Sequence, residues 1–198
     1  MTQEILIATS NQGKLKEMLE VIQDLPFKFL TLNDLNLKNE VEENGKNYQE
    51  NAFLKANYFF KKTNLPTIAE DSGLSVEALK DELGIHTRRW GKGEKSTDKE
   101  WLDYFLERMA KEDNRQATFF CSAVFVSKQN KASFTGQTTG TLTKKAQCAL
   151  PPGIPISAIF IPNGLKKVYA RLNKKEKNKV SHRGKALKKL KNFLLTSF

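Results

Sequence analysis

The chain is poor in the residues that build covalent frameworks and soft-metal centres, with only 2 Cys and 2 His in 198 residues. A disulfide scaffold needs several paired cysteines and a zinc site needs a Cys/His cluster, so both are excluded. Cys121 lies inside an apolar run, where a buried, inert thiol is the expectation. No apolar run approaches the roughly 18 residues of a membrane span. The opening Met1-Thr2-Gln3-Glu4 also lacks the basic start of a secretory signal, so a soluble, cytoplasmic protein is expected. The Gly-x-x-x-x-Gly-Lys-Ser/Thr phosphate loop is missing as well, and no repeat or low-complexity linker divides the chain.

What remains is a chain with material for a core, 39% hydrophobic and 10% aromatic, and a strong positive bias, 33 Lys and Arg against 22 Asp and Glu for a net charge of +11. Position matters more than size here. Residues 161–198 carry twelve basic residues and one acid, Glu176, so the whole excess belongs to the last fifth of the chain. Such a face attracts phosphate, whether nucleic acid, an anionic membrane or a small polyphosphate, and charge alone does not choose among them.

Periodicity sets the coarse order. Glu4–Ala8 reads as a buried strand, and Leu15, Met18, Leu19, Ile22 and Leu25 fall on one helical face that stops at Pro26. A strand follows near Lys28–Thr31, then a polar connection through Lys46. A second helix carries Ala52, Ala56, Phe59 and Phe60, with Glu50 in its first turn. Pro66–Ala69 and Leu74–Val76 read as two short strands, with Glu70-Asp71-Ser72-Gly73 as the turn between them. Trp101, Leu102, Phe105 and Met109 mark a third helix capped within Ser96–Asp98. Gln116–Ser127 and Ser133–Leu142 form a hairpin about Lys128–Lys131. Four prolines between Pro151 and Pro162 stiffen a loop, and Ala186, Leu187, Leu190, Phe193 and Leu194 give a last helix with a lysine-covered back. The expectation is an α/β fold, a single elongated two-lobed domain over residues 1–198 with a mixed sheet and flanking helices.

Three segments carry candidate chemistry. Thr9-Ser10-Asn11-Gln12-Gly13-Lys14 joins the first strand to a helix, where free backbone N–H groups, hydroxyls and a lysine suit an anion. Glu50 and the Glu70-Asp71 pair offer hard oxygen ligands for Mg2+, which commonly binds one or two carboxylates plus substrate phosphates. Lys177-Asn178-Lys179-Val180-Ser181-His182-Arg183-Gly184 gathers groups able to hold phosphate and hydrogen-bond a base edge. Each has an ordinary alternative as a polar turn, a solvated acid or a lysine face.

Their joint order resembles the inosine triphosphate pyrophosphatase family over nearly the whole chain. Thr9–Lys14 is similar to its Thr-x-Asn-x-x-Lys motif. Glu50-Asn51-Ala52-Phe53-Leu54-Lys55-Ala56 matches its Glu-Asn-Ala-x-x-Lys-Ala helix, and Ala69-Glu70-Asp71-Ser72-Gly73-Leu74 matches its acidic strand end. Gly84–Trp90 matches more loosely, while Arg115–Cys121, Gly136 and Gly140 match the hairpin and Ser181-His182-Arg183-Gly184 closes the set. The resemblance implies Mg2+-assisted hydrolysis of deaminated purine nucleoside triphosphates to monophosphate and pyrophosphate, by a two-lobed homodimer. It further implies Asp71 as general base and Glu50 with Asp71 as metal ligands. Thr9, Ser10, Asn11, Lys14, Ser72, Lys177, Ser181, His182 and Arg183 would contact substrate, the last two near the base edge. Membrane and nucleic-acid partners are not implied. The alternatives are a family member that binds nucleotides without turnover, and a nucleic-acid binder using the basic end.

One motif departs from the family. Where it has Gly-Phe-Gly-Tyr-Asp-Pro or the Trp equivalent, this chain reads Gly153-Ile154-Pro155-Ile156-Ser157-Ala158. The aromatic platform is aliphatic and the carboxylate is a hydroxyl, which both donates and accepts. Read from the loop alone, discrimination between inosine and adenosine triphosphates should be narrower than usual. The family's Ala-Glu-Leu is likewise Ala170-Arg171-Leu172, a charge reversal.

Overall fold

The computed structural model describes residues 2–38, 41–80, 82–87, 90–93 and 95–197. Arg88 and Arg89 of the Gly84–Trp90 motif lie outside the described residues.

Six strands form one mixed sheet in the order β2-β1-β3-β4-β5-β6. These are β1 Glu4–Ile7, β2 Lys28–Thr31, β3 Thr67–Val76, β4 Gln116–Val126, β5 Lys131–Leu142 and β6 Phe160–Pro162. β1 runs parallel to β2 and β3, and every later pairing is antiparallel. The α-helices among the described residues are α1 Gln12–Ile22, α2 Tyr48–Thr63, α3 Asp98–Arg108, α4 Lys174–Val180 and α5 His182–Ser197. Their starts follow side-chain chemistry. Asn11 and Asn47 accept from the backbone N–H groups of Lys14 and Glu50, and Thr97 with Glu100 and Asn173 with Glu176 form reciprocal capping boxes.

The alternation of β1 shows how the sheet is covered. Ile5 and Ile7 pack with Met18 and Ile22 of α1 and Leu187, Leu190 and Leu194 of α5, while Leu6 and Ala8 pack with Ala52, Ala56 and Phe59 of α2. At the far end of the long strands a separate core gathers Leu74, Val76, Trp101, Phe105, Ala117, Phe160 and Tyr169. One sheet thus serves two lobes. Gly136 marks the tightest approach of helix to sheet, because a Cβ there would run into the carbonyl oxygen of His182 at the start of α5.

The acidic segment corrects the sequence reading. Glu70-Asp71-Ser72-Gly73 is no turn; it is the middle of the ten-residue strand β3, paired along its full length with β4, Asp71 opposite Ser122. The carboxylates broke the apolar pattern, yet helices on both faces supply cations that make burial tolerable. A second difference is the short helix α4, absent from the periodicity because none of its residues is buried.

Candidate active site

Because β3 is a strand, its neighbouring carboxylates point to opposite faces. Glu70 follows Ile68 toward α1 and α5, and Asp71 follows Ala69 toward α2. Glu70 is 1% exposed; its Oε1 lies 2.9 Å from Lys14 Nζ, its Oε2 lies 3.5 Å from Arg183 Nε, and Cys121 Sγ donates to Oε2 at 3.3 Å. Arg183 also donates to Ser72 Oγ at 3.0 Å and pairs through Nη1 with Glu17, which pairs in turn with Lys177. Burial opposes ionisation of Glu70, but Arg183, Lys14 and Lys55 outweigh it and hold the carboxyl well below its usual range. Glu17 is held down against burial by Arg183 and Lys177 in the same way.

Asp71 meets a different balance. Its Oδ2 accepts from Asn51 Nδ2 at 3.1 Å, its Oδ1 accepts from the Ser72 N–H at 2.9 Å, and Lys55 Nζ stands 3.9 Å away while pairing with Glu43 at 2.6 Å. Here burial wins: the carboxyl is raised above its ordinary value, with Lys55 and Lys14 pulling down and Glu43 and Glu70 pushing up. Two adjacent carboxylates are therefore driven in opposite directions, the pattern of one structural and one proton-accepting group.

Both sides open on one cleft of about 610 Å3 between the lobes. Thr9, Ser10, Asn11 and Lys14 line its wall beside Asp71, Ser72, His182 and Arg183, so eight of the residues singled out from sequence converge there. Gly13 lets the turn come in under the proline loop, since a Cβ would strike Pro152 O, and Asn11 Nδ2 ties that loop down through Gly153 O at 2.9 Å. His182 is buried at 5% exposure, its ring parallel to Phe119 at 4.6 Å. Burial, with Arg183 beside it, drives its pKa well below the usual value and leaves the imidazole neutral.

Three expected residues are placed elsewhere. Glu50 accepts from Lys46 N and Asn47 Nδ2 and is not among the residues lining the cleft; it closes the start of α2, so the structure does not bring it to Asp71 as a metal ligand. Ser181 Oγ accepts from Gly184 N and caps the start of α5, and Lys177, not itself a lining residue, pairs with Glu17, which does line the cleft. Glu17, Lys55 and Glu43 were missed. Spacing alone links the first two to motif residues, Glu17 one turn past Lys14 and Lys55 one turn past Asn51.

Fold and cleft together define the class: a mixed α/β protein whose cleft brings Lys14, Arg183 and the start of a helix into the same lining as a largely buried carboxylate. The Ham1 family model matches residues 5–193. A dITP/XTP pyrophosphatase of Leptospira interrogans is 35% identical over 99% of both chains, and one of Dictyoglomus thermophilum is 38% identical over 96% of this chain and 93% of its own. Two solved structures, the Ham1 proteins of Staphylococcus aureus and Coxiella burnetii, superpose with TM-scores of 0.81 and 0.82 at 31% identity, covering 99% of this chain and all of theirs. The chain belongs to the Ham1 family.

Proposed function

We propose that the protein hydrolyses the α–β phosphoanhydride of nucleoside triphosphates, releasing monophosphate and pyrophosphate, with deaminated purine nucleotides as substrates and Mg2+ as cofactor. The observation that carries this reading is Asp71: a carboxylate raised in pKa that shares the lining of one cleft with Lys14 and Arg183. The names of the relatives supply the substrate class. Resemblance to the family supports a cytoplasmic homodimer.

The donor set fits a hard cation. Asp71 and Glu43 both line the cleft on the α2 side, a pair of carboxylates that complements substrate phosphates in an Mg2+ shell. Bound there, Mg2+ would supply charge neutralisation for the phosphate oxygens. The residues of the chain do the rest. The Thr9–Lys14 turn holds the phosphates with backbone and side-chain donors at the start of α1, and Lys14 adds a full positive charge. Arg183, held by Glu17 and Glu70, stays charged without drifting toward the substrate. Asp71 accepts the proton of the attacking water, a task its raised pKa favours.

The test is pyrophosphate release from a panel of nucleoside triphosphates, with and without Mg2+. Release from inosine and xanthosine triphosphates, lost on metal removal and in Asp71→Asn, is the expected outcome. Metal-independent turnover would remove the cofactor from the account.

A further inference from the structure

The base end of the cleft lacks the family's aromatic loop, and the structure shows what stands behind it. Asp98, in the first turn of α3, accepts from Gly153 N at 2.6 Å and so fastens the helix to the loop. Trp101 lies one helical turn on, on the same face, and lines the same cleft as Ile154, Ile156 and Ser157. It is 2% exposed, stacked on Phe105 at 5.4 Å and edge-on to Trp90 at 6.3 Å. Those neighbours fix the indole but offer its nitrogen nothing, and among the described residues Trp101 Nε1 is buried without an acceptor. An indole N–H only donates. Left unpaired in a buried wall it disfavours the protein, unless a ligand supplies the acceptor.

The other polar groups of this wall read a base edge poorly. A Ser157 hydroxyl donates or accepts, and so does the neutral His182 imidazole, whose Nδ1 is also unpaired. A donor that cannot accept is selective. The major-groove edge of a 6-keto purine presents two acceptors, O6 and N7, whereas a 6-amino purine replaces O6 with a donor.

We propose that Trp101 is a specificity-determining residue, its Nε1–H donating to the 6-keto oxygen of a purine seated between Ile154–Ile156 and the stacked Phe119 and His182. The proposal rests on the cleft being a nucleotide site. The donor is closed off from solvent, so a base reaches it by displacing the aliphatic side chains of the loop. Selectivity for keto bases then survives the loss of the loop carboxylate, contrary to the expectation from the loop alone.

The direct test follows the two indole N–H resonances of the 15N-labelled full chain, assigned with Trp90→Phe. The α,β-methylene triphosphates of inosine and of 6-unsubstituted purine riboside serve as non-hydrolysable probes. The Trp101 resonance should move downfield with the inosine analogue and not with the other. Calorimetry should show Trp101→Phe weakening the inosine analogue by about ten-fold, the loss of one buried hydrogen bond, with the unsubstituted analogue unchanged. An unmoved Trp101 resonance with bound inosine analogue overturns the proposal, as does equal weakening of both probes. The resonance test needs only the native protein, so it stands if Trp101→Phe does not fold. Pyrophosphate release from inosine triphosphate, measured in parallel, separates the claims: turnover with an unmoved indole overturns the role of Trp101 and leaves the activity standing.

Discussion

At the end of the cleft proposed to hold the phosphates, Lys14, Glu70, Arg183, Glu17 and Lys177 make a continuous chain of paired charges, each carboxylate gripped by two cations. At the base end, Ile154, Ile156, Trp101 and Phe119 present apolar surface with a few uncharged polar atoms. The first region fixes its groups before substrate arrives, because a buried ion network leaves little freedom to any member. The second holds unpaired polar atoms that a ligand completes. Preorganised charge suits a reaction that differs little among nucleotides, and unmet hydrogen bonds suit a choice among bases.

The largest way to break this comparison is at Asp71. Asp71→Asn should lower kcat by about a hundred- to ten-thousand-fold while triphosphate binding by calorimetry persists, and near-native turnover would take the proton-accepting role away. In the metal-free protein the Asp71 carboxyl should titrate above the ordinary aspartate range because burial raises its pKa, as read by a 13C carboxyl titration, and an ordinary midpoint would remove that effect of burial. Stability responds in opposite senses at the two carboxylates. Glu70, depressed in the fold, contributes stability that is present above its unfolded pKa and lost as pH falls through the folded one, whereas burial of ionised Asp71 makes its contribution decline as pH rises.

Next in size is Glu17→Gln, which leaves Lys177 and Arg183 without their shared anion. Breaking a buried pair costs about 3–5 kcal/mol, so Tm should drop by about 10 °C in a thermal scan. An unchanged Tm would mean that the network does not hold the phosphate end rigid. Smaller again is Ile154→Phe, which adds stacking surface but no hydrogen-bond code. It should tighten inosine and adenosine triphosphates alike, by about ten-fold at most, as read from KM. A gain confined to one base would place the code in the loop. Smallest is Lys188→Gln with Lys189→Gln on the exposed face of α5, expected to change kcat/KM by less than about two-fold, because exposed charges are screened beyond about 10 Å at 0.1 M salt.

The same contrast explains what the sequence could show. The proposed phosphate end draws on short contiguous motifs, so Thr9–Lys14, Asp71 and Arg183 were legible as cleft residues from residue type and order. Glu17 and Lys55 were not, because an ion on a helix face acquires meaning only when its partners arrive from α4, α5 or β3. Asp71 and Glu70 were recognised as acids but misplaced in a turn; strand geometry, not their chemistry, decides that they face apart. At the proposed base end the sequence shows only that the loop Gly153–Ala158 carries no aromatic side chain. Trp101 was counted as a core residue, which by burial it is, and only its place in the cleft wall together with an unpaired nitrogen gives it a second meaning. Of the fold, strand and helix order was legible except for the unbroken β3, for the short β6, which lies in the segment read as a proline-stiffened loop, and for α4, whose residues are all solvent-facing or half-buried and leave no apolar stripe.

The central claim is that Asp71 and the charges around it direct water to the α-phosphorus. Hydrolysis of inosine triphosphate in 18O-labelled water with Mg2+, followed by mass analysis of both products, tests it most directly. The account predicts one labelled oxygen in the monophosphate, none in the pyrophosphate, and no incorporation above background with Asp71→Asn. Label in the pyrophosphate, or diphosphate and inorganic phosphate as the products, would contradict it.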